Sequence, residues 1–149
     1  MAGKKQFSTF VVDQILLGVE VEKVQEVIRY QKMTRVPLAR PVVRGLINLR
    51  GQIVTAMDMR RRLGLRERAP DDLPMNVVIR HEDGAVSLLV DEIGDVLEVE
   101  DDAFELPPGT LGGEVRELIR GAYKLKGTLL IALDIEKVLN LDTAARPGA

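Results

Sequence analysis

The sequence predicts an all-β (mainly β) fold of two five-stranded barrels related by internal duplication, with short helices that include one at the C-terminal end. Three observations carry this. Val, Leu and Ile recur in short runs broken by turn residues, which is the pattern of strands rather than long helices. Aromatic residues make up only 3% and Trp is absent, so these branched aliphatics must fill the core. The chain also repeats itself. Residues 43–65 lie over residues 119–141 without a gap at an offset of 76. That places Arg44 on Arg120, Gly45 on Gly121, Gly51 on Gly127 and Asp58 on Asp134. Upstream, residues 21–28 lie over residues 90–97 at an offset of 69. The difference of seven locates an insertion in the second half, naturally at Leu106-Pro107-Pro108-Gly109-Thr110-Leu111-Gly112-Gly113.

Each half reads alike. Phe7–Val12 and Ile15–Val19 are expected strands around a tight Asp13-Gln14 turn. Val21 and Val24 suit one short helical turn, and Val27–Tyr30 reads as a strand. A loop through Pro37 and Pro41 follows. Gly45–Leu49 and Gln52–Met57 form an expected strand pair, with Gly51 supplying the backbone freedom of a turn or bulge. Asp58 stands where a helix begins and can cap it, with Met59 and Leu63 facing the core. Charged, proline-bearing residues 66–74 form the linker. Met75–Arg80 and Val86–Val90 open the second half across His81-Glu82-Asp83-Gly84. Asp134, Ile135, Val138 and Leu139 repeat the helix start. Residues 7–141 thus form one domain, with a first barrel at about 7–65, a second at about 75–141, and flexible tails at 1–6 and 142–149. Side by side, the two barrels leave a seam expected to form a groove.

Composition narrows function. With no cysteine, disulfides and thiolate metal sites are excluded. No window approaches the roughly 18 apolar residues of a membrane span, and no signal peptide is evident. A soluble, cytoplasmic protein is expected, without direct membrane insertion. A net charge of −2 argues against a general nucleic-acid binder.

No catalytic constellation emerges, and no cofactor or metal is expected. His81 is the only histidine and reads as an exposed turn residue without partners at ligand spacing. Asp58 and Asp134 are repeat equivalents, which suits two helix caps better than one acid/base pair. Asp71-Asp72 and Asp101-Asp102 read as solvated loop charge. Gly109–Gly113 lacks the Lys and hydroxyl residue of a phosphate loop. Arg60-Arg61-Arg62 lacks interleaved aromatics for base stacking and reads as the exposed face of a helix. Arg50 stays open. Strand alternation turns Ile47 and Leu49 inward and sets Leu46, Asn48 and Arg50 on the other face. That face fits a contact patch, and it fits equally a strand half-buried on both sides with a solvated arginine.

Val43-Arg44-Gly45-Leu46-Ile47-Asn48-Leu49-Arg50-Gly51-Gln52-Ile53-Val54, followed by Met57-Asp58-Met59-Arg60, resembles the signature of CheW-like domains. Phe7-Ser8-Thr9-Phe10, Leu17-Gly18-Val19, Val24-Gln25-Glu26-Val27-Ile28 and Leu130-Ile131-Ala132-Leu133-Asp134-Ile135-Glu136-Lys137-Val138-Leu139 fit too. The resemblance spans about Phe7 to Leu141; Thr55-Ala56 stands where the family often has proline. It implies SH3-like barrels and a non-enzymatic adaptor. The implied partners are the CheW-like regulatory domain of the histidine kinase CheA and the cytoplasmic tip of methyl-accepting chemotaxis receptors. Together these assemble membrane-associated arrays. The resemblance assigns receptor binding to Val24, Glu26, Val27, Gly45, Asn48 and Arg50. It assigns kinase binding to Leu106, Pro107, Pro108, Gly109 and Thr110. The same fold also serves twitching, gliding and other chemosensory pathways.

Overall fold

The computed structural model describes residues 3–82, 84–106 and 113–140. Eleven strands appear among them: β1 (Lys4–Val12), β2 (Ile15–Glu20), β3 (Val24–Ile28), β4 (Val43–Leu49), β5 (Gln52–Asp58), β6 (Met75–His81), β7 (Gly84–Val90), β8 (Glu92–Glu100), β9 (Phe104–Glu105), β10 (Ile119–Leu125) and β11 (Thr128–Leu133). Three short helices accompany them: α1 (Met59–Arg62), α2 (Gly113–Glu117) and α3 (Ile135–Leu139). The Asp13-Gln14 turn has both residues at positive φ, 47° and 70°, the left-handed pair that a two-residue hairpin needs. The helical turn expected at Val21 is a 3-10 turn over Val21–Lys23. The N-terminal tail is shorter than expected, because Lys4, Lys5 and Gln6 pair with Glu100, Val99 and Glu98. The expected C-terminal tail lies outside the described residues.

The strands form two sheets, a six-stranded one ordered β8-β1-β2-β11-β10-β9 and a five-stranded one ordered β3-β6-β7-β5-β4. This corrects the expected division into residues 7–65 and 75–141. The halves exchange their first hairpins: β1–β2 joins the strands of the second half, and β6–β7 joins those of the first. Burial explains the exchange. Both hairpins are apolar on both faces, a composition that demands cover on each side. In β6 and β7, Val78 and Leu89 point into the five-stranded sheet's own core with Ile47, Leu49, Val54 and Ala56. Their neighbours Val77, Ile79, Leu88 and Val90 point the other way, into the largest core cluster. Phe7 on β1 faces Tyr123 and Leu130, while Phe10 and Val12 face that same largest cluster. The seam expected as a groove is therefore the main hydrophobic core, shared with Met59 and Leu63 of the α1 region and Ile135, Val138 and Leu139 of α3.

Each sheet curls until its edges meet. The chain leaves edge strand β8, passes one 3-10 turn at Asp101–Ala103, and enters β9 at the opposite edge. A flat six-stranded sheet would hold those edges about 24 Å apart. A three-residue connection reaches no more than about 14 Å. In the five-stranded sheet the chain beyond β3 reaches the far edge as a single bridge, in which Thr34 and Leu46 exchange two backbone hydrogen bonds of 2.8 Å. The glycines that coincide in the repeat mark these closures. A Cβ on Gly45 would stand 2.6 Å from the Thr34 carbonyl oxygen, and one on Gly121 would stand 2.3 Å from the Phe104 ring. Both sit beside a register shift in their hairpin. The bulge thus falls at Arg44-Gly45 and not at Gly51, which is a pure turn residue at φ 89°.

Candidate functional site

β3 and the β4–β5 hairpin are opposite edges of the five-stranded sheet, and closure sets them side by side. Along β4 burial alternates as the pattern requires: Gly45, Ile47 and Leu49 inward, Arg44 and Asn48 outward. Arg50 is not the last strand residue. It is the first turn residue, at φ 50°, followed by Gly51, so the two form the doubly left-handed turn that matches strand twist. The Asn48 side-chain oxygen accepts from the Gly51 amide at 2.9 Å and pins that turn. The Arg50 guanidinium, its side chain 70% exposed, pairs with the Glu26 carboxylate on β3. Gln25 donates to Glu26 at 3.2 Å and to the Gln52 side-chain oxygen at 3.4 Å. The hydrogen bonds from Gln25 and from Arg50 hold the Glu26 carboxyl below its ordinary pKa.

The structure thus brings Glu26, Asn48 and Arg50 to one polar seam. Val27 flanks it, 43% exposed. The other two residues of the expected receptor set are less exposed. Gly45 is buried, and it admits the Thr34 backbone rather than presenting surface. Val24 is partly buried against the main core. Sequence reasoning missed Ile53, which is 60% exposed and stands directly opposite Asn48 in the hairpin register. The signal was present: a two-residue turn at Arg50-Gly51 forces the Asn48–Ile53 pairing onto the outer face. Of the expected kinase set, Leu106 is largely exposed just beyond β9. Pro107, Pro108, Gly109 and Thr110 lie outside the described residues.

The arginine run reads differently from the exposed face expected of it. Successive helical residues are turned by about 100°, so three in a row cannot share one face. Arg60 reaches the Asp91 carboxylate through Nε and Nη2, at 3.0 and 2.7 Å. Arg61 donates to the Pro41 carbonyl at 2.6 Å and pairs with Glu67. Arg62 is buried and donates to the carbonyls of Lys137 and Val138, both at 2.8 Å, so it caps the C-terminal end of α3. Asp91 also accepts two bonds from Arg68 of the linker and one from the Asp13 amide at 2.7 Å. Burial pushes the Asp91 carboxyl upward, but the bonds from Arg60, the Asp13 amide and Arg68 outweigh it and hold its pKa at about 2. Asp58 accepts from the Arg60 amide and Asp134 from the Lys137 amide, so both cap helix N-termini. His81 closes β6 and is half-buried, 4.0 Å from Glu82.

A family model described as the CheW-like domain matches residues 6–143. The chain belongs to the CheW-like domain family. Its relatives include the chemotaxis protein CheW of Bacillus subtilis, 31% identical over 135 residues, covering 91% of this chain and 86% of that one. The chemotaxis protein CheW of Treponema pallidum is 29% identical over 139 residues, covering 91% and 82%. The fold matches the crystal structure of the scaffolding protein TtCheW from Thermoanaerobacter tengcongensis with a TM-score of 0.81, over 93% of this chain and 94% of that one, at 22% identity. Among the described residues no helix is long and apolar enough to cross a membrane.

Proposed function

We propose that this chain is a non-enzymatic, cytoplasmic coupling protein that joins the tip of a chemoreceptor to the regulatory domain of the histidine kinase CheA within a receptor array. Membership of the CheW-like family across nearly the whole chain carries the reading. Within it, the receptor contacts the polar seam of Glu26, Asn48 and Arg50 together with exposed Val27 and Ile53. A helix laid there meets two apolar anchors beside a guanidinium fork, the mixture that binding hot spots favour. The kinase contacts the other closure, from exposed Leu106 into Pro107-Pro108-Gly109-Thr110. The surface is 9041 Å², and two standard patches of about 800 Å² each take under a fifth of it, so both partners fit at once.

The test is a pull-down with purified CheA and receptor cytoplasmic fragments. A ternary complex is expected. Recovery of neither partner sinks the reading.

A further inference from the structure

The chain between β3 and β5 carries charge of one sign. Residues 27–57 hold six Lys and Arg and no Asp or Glu. Two turns shape the loop that leads into β4. The Ala39 amide donates to the Val36 carbonyl at 3.3 Å, and the Val43 amide donates to the Arg40 carbonyl at 2.9 Å. The Thr34–Leu46 bridge fastens the loop to β4. In the first turn Leu38 takes the third position at φ 64°, a conformation that turns normally give to Gly or Asn. Backbone held in this way persists only where its surroundings over-determine it, and it collects at ligand sites.

Folded so, the loop encloses with β4 and α1 a pocket of about 720 Å³, the size of a small-molecule site. Arg35, Arg40, Arg44 and Arg61 line it, and none of its lining residues is acidic. The fold engages three of these arginines only in part. Arg61 is anchored by the Pro41 carbonyl at 2.6 Å and by exposed Glu67. Arg44 lies 3.4 Å from the Asp58 carboxylate, which also caps α1 by accepting from the Arg60 amide. Arg35 is exposed and has no ion pair among the described residues. A concave wall of guanidinium groups with no carboxylate in it focuses positive potential. Each planar fork matches two oxygens of one phosphate group. Most of the remaining wall is apolar, and Tyr30 and Leu38 present exposed apolar surface. The matching ligand carries more than one negative group on a flat, partly apolar body.

We propose that this pocket binds a nucleoside polyphosphate, its phosphates held by the guanidinium groups of Arg35, Arg44 and Arg61 and its base laid against Tyr30. Aromatic faces accept any base by stacking, so Tyr30 favours a nucleotide over a bare inorganic anion without choosing among bases. Arg61 and Arg44, already held by their protein partners, lose little freedom on binding. Glu26, Asn48 and Arg50 are not among the lining residues, so the site is separate from the seam assigned to the receptor and goes beyond the coupling role.

Isothermal titration of the purified chain with ATP, without magnesium, tests it. Saturable 1:1 binding is expected at about 50 mM salt and should weaken steeply towards about 1 M, where charge is screened within about 3 Å. Pyrophosphate, which offers phosphates and no base, should bind about tenfold more weakly or worse. Arg35→Ala and Arg44→Ala should each weaken ATP binding about tenfold, since each removes charge-assisted hydrogen bonds to phosphate. Tyr30→Leu should bring ATP down towards pyrophosphate and leave pyrophosphate itself unchanged. Lys126→Ala, a surface cation outside the pocket, should change neither. Thermal melts first establish that the variants fold, and Arg35→Ala removes no ion pair that the fold uses. A folded parent that shows no saturable ATP binding at low salt overturns the proposal. So does pyrophosphate bound as tightly as ATP, or full ATP affinity in folded Arg35→Ala. The pull-down of receptor and kinase is run without nucleotide, so failure of the coupling reading and failure of this site are told apart.

Discussion

The two sheets trace the same path, yet they close in different ways. The six-stranded sheet closes with a further strand, β9, whose Phe104 stacks on Tyr123, which in turn lies 5.3 Å from Phe7. The five-stranded sheet closes with one bridge at Thr34 and a polar seam across which Arg50 pairs with Glu26. The equivalent positions in the other sheet are Lys126 and Asp95, and among the described residues no ion pair joins them. A closure made by packing uses its apolar surface to hold itself. A closure made by one bridge and an exposed ion pair leaves apolar residues such as Val27 and Ile53 in solvent. The duplication has therefore yielded one closure held by stacked aromatics and one held by a bridge and an exposed ion pair, and each leaves apolar side chains in solvent: Val96, Phe104 and Leu106 at the first, Val27 and Ile53 at the second.

The largest expected effect tests whether both closures depend on the same close approach. Gly121→Ala should destabilise the fold by about 3 kcal/mol, since its Cβ meets an aromatic ring at 2.3 Å and the Glu105 carbonyl oxygen at 2.6 Å. Gly45→Ala should cost about 2 kcal/mol, because only a single bridge must shift. Urea denaturation of both variants reads this out. Equal losses would mean that the two closures are energetically alike and that the contrast is one of appearance.

Next comes the ion cluster at Asp91, which sharpens the contrast between paired charge that holds and paired charge that recognises. Arg60 and Arg68 have side chains only 13% and 7% exposed, and both converge on Asp91. Asp91→Asn removes the main counter-charge of two nearly buried guanidinium groups, leaving Arg68 only the Asp58 carboxylate at 4.0 Å, and should cost about 2 kcal/mol. Receptor binding should not change. The acid limb gives a smaller effect of the same origin. The folded-state pKa lies below the ordinary 3.8, at about 2, so the stabilisation is complete above about pH 4 and is lost as pH falls towards 2. Its size is about 1 kcal/mol once solvent screening is allowed for. Chemical melts of parent and Asp91→Asn between pH 5 and pH 2 should converge as the pH drops.

Much of this architecture was legible in the sequence because repetition compares the chain with itself and alternation is a local signal. The paired glycines follow from the repeat at an offset of 76, and the capping aspartates and the inward Ile47 and Leu49 from spacing within a few residues. The exchange of hairpins was not legible, since strand pairing across the two halves depends on which face of β1 or β7 meets which neighbour, and both faces are apolar. The arginine run failed for a related reason. Arg60 and Arg62 find their partners 31 and 76 residues away, at Asp91 and at the end of α3, and nothing near them in sequence announces either. At the candidate site, the family pattern pointed to Glu26 and Arg50, but only closure of the sheet shows that they touch and that Ile53 joins them.

The smallest effect on stability is expected where the effect on binding is the point. Arg50 pairs with Glu26 in the open, and exposed pairs contribute little, so Arg50→Ala should change stability by no more than about 0.5 kcal/mol. If the seam is the receptor surface, the same variant should weaken binding to a receptor-tip fragment by about 1–3 kcal/mol while kinase binding changes much less. Arg50→Lys should restore only part of this, because a point charge cannot reproduce the planar fork and Lys must still take the left-handed turn that Arg50 occupies. Val27→Asp should remove receptor binding and leave cooperative unfolding intact, as its exposure permits. Lys126→Ala supplies the control from the other closure: it occupies the matching turn position, makes no ion pair with Asp95, and should spare receptor binding. Titration calorimetry on these variants, with melts alongside, separates the outcomes. If Arg50→Ala melts far earlier than the parent, the seam is part of what holds the sheet shut. The two closures would then differ in chemistry and not in purpose.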